Sequence, residues 1–230
     1  MNDKVKILIN SSPRSGHAFL QYCLLETLDN KKISIGDISD EFIIRANAPI
    51  ILFGSFKDII QTTILRKPED IIPSIVTKTM GGLGNTITSN INMPHELNHV
   101  PELSILIRDQ FDIYHRWTNS IIKNISTLKP FTLEQVSNDT PWVVNSLLKN
   151  FDVKYRDISN EDFISNALTK ITIHDKGHPG FNNAVPIERK PDVYYEAVDI
   201  VKNNPLLQDA INKHKECEKL ILDFQKSSLW

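Results

Sequence analysis

The sequence predicts an α/β protein, a three-layer αβα arrangement around a central parallel sheet. Three observations carry that expectation. Val5, Ile7, Leu8 and Ile9 form a short apolar run, β-branched apart from Leu8, as a strand covered on both faces requires. A small-residue loop and a stretch of helical periodicity follow it at once, which is half of the βαβ unit from which parallel sheets are built. And 230 residues suit one domain, 1–230, with its own core.

The elements follow in chain order. Residues 11–16 supply turn chemistry: three serines, one proline and one glycine. Phe19, Leu20, Cys23, Leu24 and Leu28 then recur at helical spacing. Residues 31–35 are a short strand candidate, followed by an acidic patch at Asp37, Asp40 and Glu41. Two apolar runs come next, 42–44 and 50–53, and at least the second is expected as a strand. Residues 62–65 form another strand ending in Arg66, Lys67 and Pro68. Pro68, Glu69 and Asp70 open a helix, since proline suits the first turn and acids suit the positive end of the dipole. Ile71, Ile72, Ile75, Val76 and Met80 give it an apolar side.

A long Gly- and Asn-rich loop spans 81–101, a length that in a compact domain points to function or motion. Leu103, Leu106, Phe111, Tyr114, Trp117 and Ile121 mark a long helix over 102–125. Residues 131–133 are read as a last short strand, and Thr140 with Pro141 as the cap of a helix running to Leu148. Ser159 and Asp162 begin another in a capping-box-like pattern, ending near Ile171. Residues 174–183 are loop, and the remainder holds two helices, 192–202 and 206–225.

Composition excludes several classes. A net charge of −2 implies no general affinity for nucleic acid or acidic membranes, so any basic site is local. Two cysteines, Cys23 and Cys217, fall on helix faces and make no disulfide framework, which fits a reducing compartment. No stretch approaches the ~20 apolar residues of a membrane span, and the first residues lack an apolar region with a cleavage site. A soluble cytoplasmic protein is expected, with no nucleic-acid or membrane partner.

A strand feeding a helix through a small-residue loop gathers backbone N–H groups and the positive end of a helix dipole at one spot. That is an anion site, most often for phosphate. Arg14 sets a fixed positive charge inside it. The alternative is an ordinary strand–loop–helix with a surface arginine. The loop is not a Walker loop: His17 and Ala18 follow Gly16 where lysine and a magnesium-binding hydroxyl belong. It is therefore poorly equipped for Mg-ATP chemistry.

Residues 13–20 stand as Pro13-Arg14-Ser15-Gly16-His17-Ala18-Phe19-Leu20. This run resembles the 5′-phosphosulfate loop of the sulfotransferases: proline, a basic residue, serine or alanine, glycine, two threonines, an aromatic residue and leucine. Here both threonines are replaced. Arg66 through Ser74, with Pro68, Glu69 and Asp70 between, is similar to the same family's 3′-phosphate motif. Arginine can take two phosphate oxygens at once, and serine adds a neutral donor. A third run, Asp175-Lys176-Gly177-His178-Pro179-Gly180, is similar in place and glycine spacing to the family's closing loop, with aspartate in place of its arginine.

The resemblance implies a P-loop NTPase-like sulfotransferase fold, and transfer of a sulfuryl group from 3′-phosphoadenosine 5′-phosphosulfate to a hydroxyl or amine. No metal is implied. The acceptor is a small molecule or glycan. By the same resemblance Arg14 acts on the transferring group, and the amides of Ser15, Gly16, His17 and Ala18 hold the 5′-phosphate. Arg66 and Ser74, with Lys176 and Gly177, belong to the 3′-phosphate. The family's histidine base has no counterpart in 45–56. Glu41, slightly ahead of Asp37 and Asp40, is one replacement. His17 is the other, either as base or as a phosphate ligand in place of threonine. Without a base the protein would bind nucleotide and not turn over.

One rival motif is present. His95-Glu96-Leu97-Asn98-His99 fits the zinc-hydrolase pattern H-E-x-x-H. Pro94 and Pro101 confine any helix there to about one and a half turns, which argues against the zinc reading; no clear third ligand follows, His115 and His174 being the candidates. Otherwise His115, His174, His178 and His214 read as polar surface or helix-face residues.

Overall fold

Among the described residues, β1 (Lys6–Asn10) is an inner strand of a four-stranded, all-parallel sheet. The computed structural model describes residues 5–27, 42–46, 59–81, 102–149, 151 and 192–227. β2 (Phe42–Ala46) lies on one side of β1, with Lys6 opposite Phe42 and Asn10 opposite Ala46. β3 (Ile60–Leu65) lies on the other side, with Ile7 opposite Ile60 and Ile9 opposite Thr62. β4 (Lys129–Thr132) pairs with the far side of β3, so the order is β2-β1-β3-β4. The chain thus leaves β1 toward one edge and returns to build toward the other. In open parallel sheets the crevice outside the carboxyl ends at such a reversal is where ligands bind. Here it lies between the ends of β1 and β3.

Helices cover both faces. On one, α1 (His17–Thr27) and α5 (Thr140–Leu148) bury Leu20, Cys23, Leu24, Val143, Val144 and Leu147 against Ile7, Ile9, Ile64 and Phe131. On the other, Leu65 and Leu128 meet a layer of four helices: α2 (Pro68–Gly81), α3 (Leu103–Lys123), α6 (Asp192–Lys202) and α7 (Leu207–Gln225). Ile72, Val76, Phe111, Trp117, Val201 and Ile221 fill that second core. The predicted three-layer αβα architecture around a parallel sheet is therefore the observed one.

The elements differ from expectation in a few places. The apolar run that forms β2 is the first of the two, while 50–53 lies outside the described residues. Leu133 leaves the sheet: it opens a short helix, α4 (Leu133–Asn138), not expected from periodicity. The cap of α5 is Asp139, whose Oδ1 accepts from the Trp142 amide at 3.3 Å. Thr140 instead donates its hydroxyl to the Val136 carbonyl at 2.7 Å. The strand candidate at 31–35, the loop at 82–101, the helix at 159–171 and the loop at 174–183 lie outside the described residues. No helix among the described residues is long and apolar enough to cross a membrane.

Candidate functional site

The loop between β1 and α1 is pinned to the end of β3 by Ser11. Its hydroxyl donates to the Ile64 carbonyl and accepts from the Ile64 amide, both at 3.1 Å. Ser15 reaches Ser11 at 2.7 Å, and the His17 Nδ1 lies 3.4 Å from the Ser15 hydroxyl. Protons along this row can be counted. A hydroxyl has one proton, and Ser11 gives its proton to a carbonyl. Ser15 must then donate to Ser11, so Nδ1 of a neutral His17 carries the hydrogen that meets Ser15. The His17 Nε2 is left as an acceptor.

Two residues of the loop have positive φ, Arg14 at 67° and Gly16 at 94°. Such a loop turns successive amides toward one concave spot. The first-turn amides of α1 add donors without intrahelical acceptors. One expected amide is already engaged: the Ser15 N–H meets the Ser12 carbonyl at 3.3 Å, which leaves Gly16, His17 and Ala18 as the better donors. A Cβ at position 16 would lie 2.9 Å from Leu133 Cδ1, so the bare backbone there lets the Leu133 side chain of α4 pack against the loop.

The two motifs meet in space. Arg66, following β3, donates Nη1–H to the Arg14 carbonyl at 2.6 Å. Arg14 donates Nε–H to the Ser74 hydroxyl in α2 at 3.0 Å. Arg14, Arg66 and Ser74 therefore form one cluster at the reversal point of the sheet. The Arg66 Nε is buried with no hydrogen-bond partner among the described residues. Lys67, inside the second motif, turns away: its Nζ lies 3.0 Å from a Glu134 oxygen in α4. That hydrogen bond, and the charge behind it, raise the lysine pKa. Burial pushes the Glu134 carboxyl up, but the Lys67 contact and a backbone hydrogen bond outweigh it and hold the group below its usual range.

Two side chains behind Arg66 were not singled out as site residues. Tyr114 in α3 donates its hydroxyl to the Arg66 carbonyl at 3.0 Å and lies 2.8 Å from His214 Nδ1 in α7. His214 is 4% exposed, so it is a buried helix-face residue and not a surface one. Tyr114 was visible only as part of an apolar stripe. No local signal marks either one, since their partners lie 48 and 100 residues away.

Of the other expected site residues, Glu41, Lys176 and Gly177 lie outside the described residues, as do His95-Glu96-Leu97-Asn98-His99, Asp37, Asp40, His174 and His178. His115 is described: its Nε2 lies 3.4 Å from an Asp209 oxygen.

No protein-family model and no curated protein matches this chain. Among solved structures, it is similar to the crystal structure of a mouse sulfotransferase, SULT7A1, complexed with PAP. The match has 15% sequence identity and a TM-score of 0.45, and covers 97% of this chain and 86% of that one.

Proposed function

We propose that this protein is a sulfotransferase that takes its sulfuryl group from 3′-phosphoadenosine 5′-phosphosulfate. The observation that supports this most is the joining of the two phosphate-type motifs. Arg14 from the first touches Ser74 from the second at 3.0 Å, and Arg66 grips the Arg14 carbonyl at 2.6 Å. Residues 52 and 60 positions apart have no local reason to converge. The donor carries two phosphate groups, and the cluster offers two guanidinium groups beside a loop rich in amide donors. The buried Arg66 Nε, without an acceptor among the described residues, supports the fit, since an orphaned charged donor is costly unless something arrives to meet it.

In this reading the amides of Gly16, His17 and Ala18 receive the 5′-phosphate, and Arg66 with Ser74 receives the 3′-phosphate. The bond between sulfur and the bridging phosphate oxygen breaks as a bond from sulfur to the acceptor oxygen or nitrogen forms. Negative charge grows on the leaving phosphate, and Arg14 stabilises it. His17 takes the acceptor's proton at Nε2, the nitrogen without hydrogen in the tautomer that the serine row sets. The chemistry of the acceptor, a small molecule or glycan, rests with residues beyond this cluster.

Calorimetric titration with adenosine 3′,5′-bisphosphate, beside adenosine 5′-monophosphate, tests the reading. Micromolar binding that needs the 3′-phosphate is expected, and Arg66→Ala should weaken it by about 1–3 kcal/mol, as a charge-assisted contact would. Absence of binding to either nucleotide would sink the proposal. Unchanged affinity in a folded Arg66→Ala variant would remove the 3′-site assignment.

A further inference from the structure

Behind the Arg14–Arg66–Ser74 cluster stands a second polar pair that the proposed chemistry does not use. The Tyr114 hydroxyl sits between the Arg66 carbonyl, at 3.0 Å, and His214 Nδ1, at 2.8 Å. Tyr114 is 3% exposed and His214 4%. A carbonyl only accepts, so the single phenolic proton goes to Arg66. Nδ1 of His214 must then carry hydrogen and donate to the phenolic oxygen. The row runs in one direction: His214 to Tyr114, Tyr114 to the Arg66 carbonyl, the Arg66 guanidinium to the Arg14 carbonyl, Arg14 to Ser74.

Folding alone does not account for His214. Tyr114 already has an acceptor in Arg66 and needs no second partner. The same tautomer leaves His214 Nε2 buried with no hydrogen-bond partner among the described residues, a cost that an apolar side chain at this position would avoid. What His214 adds is a donor that fixes the direction of the Tyr114 hydroxyl. That hydroxyl in turn fixes the peptide plane that follows β3, on which the Arg66 side chain is carried. Burial lowers the His214 pKa and so favours the neutral ring.

We propose that Tyr114 and His214 are positioning residues for the 3′-phosphate site, setting the orientation of Arg66 without touching the nucleotide. The inference rests on the sulfotransferase reading. It adds that selectivity for a 3′-phosphorylated nucleotide is set from the last described helix, through α3, to the end of β3.

The test is the affinity ratio between adenosine 3′,5′-bisphosphate and adenosine 5′-monophosphate, measured on the full chain. Tyr114→Phe and His214→Leu are each expected to lower bisphosphate affinity about five- to tenfold, the effect of one lost hydrogen bond, and to leave the monophosphate unchanged. His214→Asn, which keeps an amide donor near the Nδ1 position, should recover most of the loss. In an Arg66→Ala background, Tyr114→Phe should have no further effect, because the two act through one contact. Circular dichroism identifies any variant that has not folded, and Tyr114→Phe and His214→Asn keep the test open if His214→Leu fails. A folded Tyr114→Phe with the wild-type ratio overturns the inference. So does an equal loss for both nucleotides, which would be a merely structural effect. A wild-type protein that binds neither nucleotide, or both alike, overturns the sulfotransferase reading itself, an outcome distinct from either.

Discussion

Arg14 holds a backbone conformation that its own side chain disfavours. A φ of 67° costs an L-residue with a Cβ roughly 1–2 kcal/mol. The Arg66 guanidinium on its carbonyl and the Ser74 hydroxyl on its Nε hold it there. Strain kept at a charged loop residue is characteristic of functional sites, and it can be measured separately from the charge. Arg14→Ala removes the guanidinium and keeps the strain; Arg14→Gly removes both. The glycine variant should unfold at a higher urea concentration than the alanine variant, by the equivalent of about 1 kcal/mol, while both lose the turnover that the proposed function expects. Equal midpoints would mean that the loop relaxes its backbone once the arginine is gone. At this scale the sequence reading went as far as residue type. Arg14, Arg66 and Ser74 stand out as residue types suited to a phosphate, and Gly16 as a turn residue. The positive φ of Arg14, and the count of protons that assigns a tautomer to His17, depend on distances that no string of residues contains.

Among the elements, α4 is the instructive one. Thr132 and Gln135 form a capping box: the Thr132 hydroxyl accepts from the Gln135 amide at 3.1 Å, and the Gln135 side chain accepts from the Thr132 amide at 3.0 Å. The pattern threonine-x-x-glutamine is present in the sequence, yet residues 131–133 read as a strand because helical periodicity needs more than the six residues of α4 to register. Longer elements were legible for the converse reason. α3 repeats its apolar positions over 21 residues, and the observed bounds fall within two residues of expectation. The box also joins two layers, since Gln135 Nε2 donates to Gln225 Oε1 in α7 at 2.7 Å. Thr132→Ala should therefore cost about 1–2 kcal/mol in urea unfolding, the upper end arising from the contact with α7. Thr132→Ser, which keeps the hydroxyl, should lose less than half as much. Equal losses in the two variants would assign the effect to the threonine methyl and not to the cap.

The described residues form two cores on one sheet, and each contains one thiol. Cys23 packs with α1 and α5 on one face, and Cys217 with the four-helix layer on the other. Both are fully buried, and burial pushes each thiol up to about 12. Since the thiolate is the reactive form, neither should react with a disulfide reagent at pH 8 until the surrounding structure opens. Labelling rates then report how each layer opens. The architecture argues for a shared opening. Ile64 and Leu65 are neighbours in β3 but belong to opposite cores, so neither layer leaves without baring one face of the strand that anchors Arg66. The sequence reading of a single domain carries the same expectation. In mass-spectrometric labelling across a urea series, the Cys23 and Cys217 peptides should be modified with the same opening free energy, within about 0.5 kcal/mol. If Cys217 is labelled tenfold faster, the four-helix layer opens on its own, by about 1.4 kcal/mol more easily. The site would then sit on a boundary between two units, and Tyr114 and His214 would hold Arg66 only while that layer is closed.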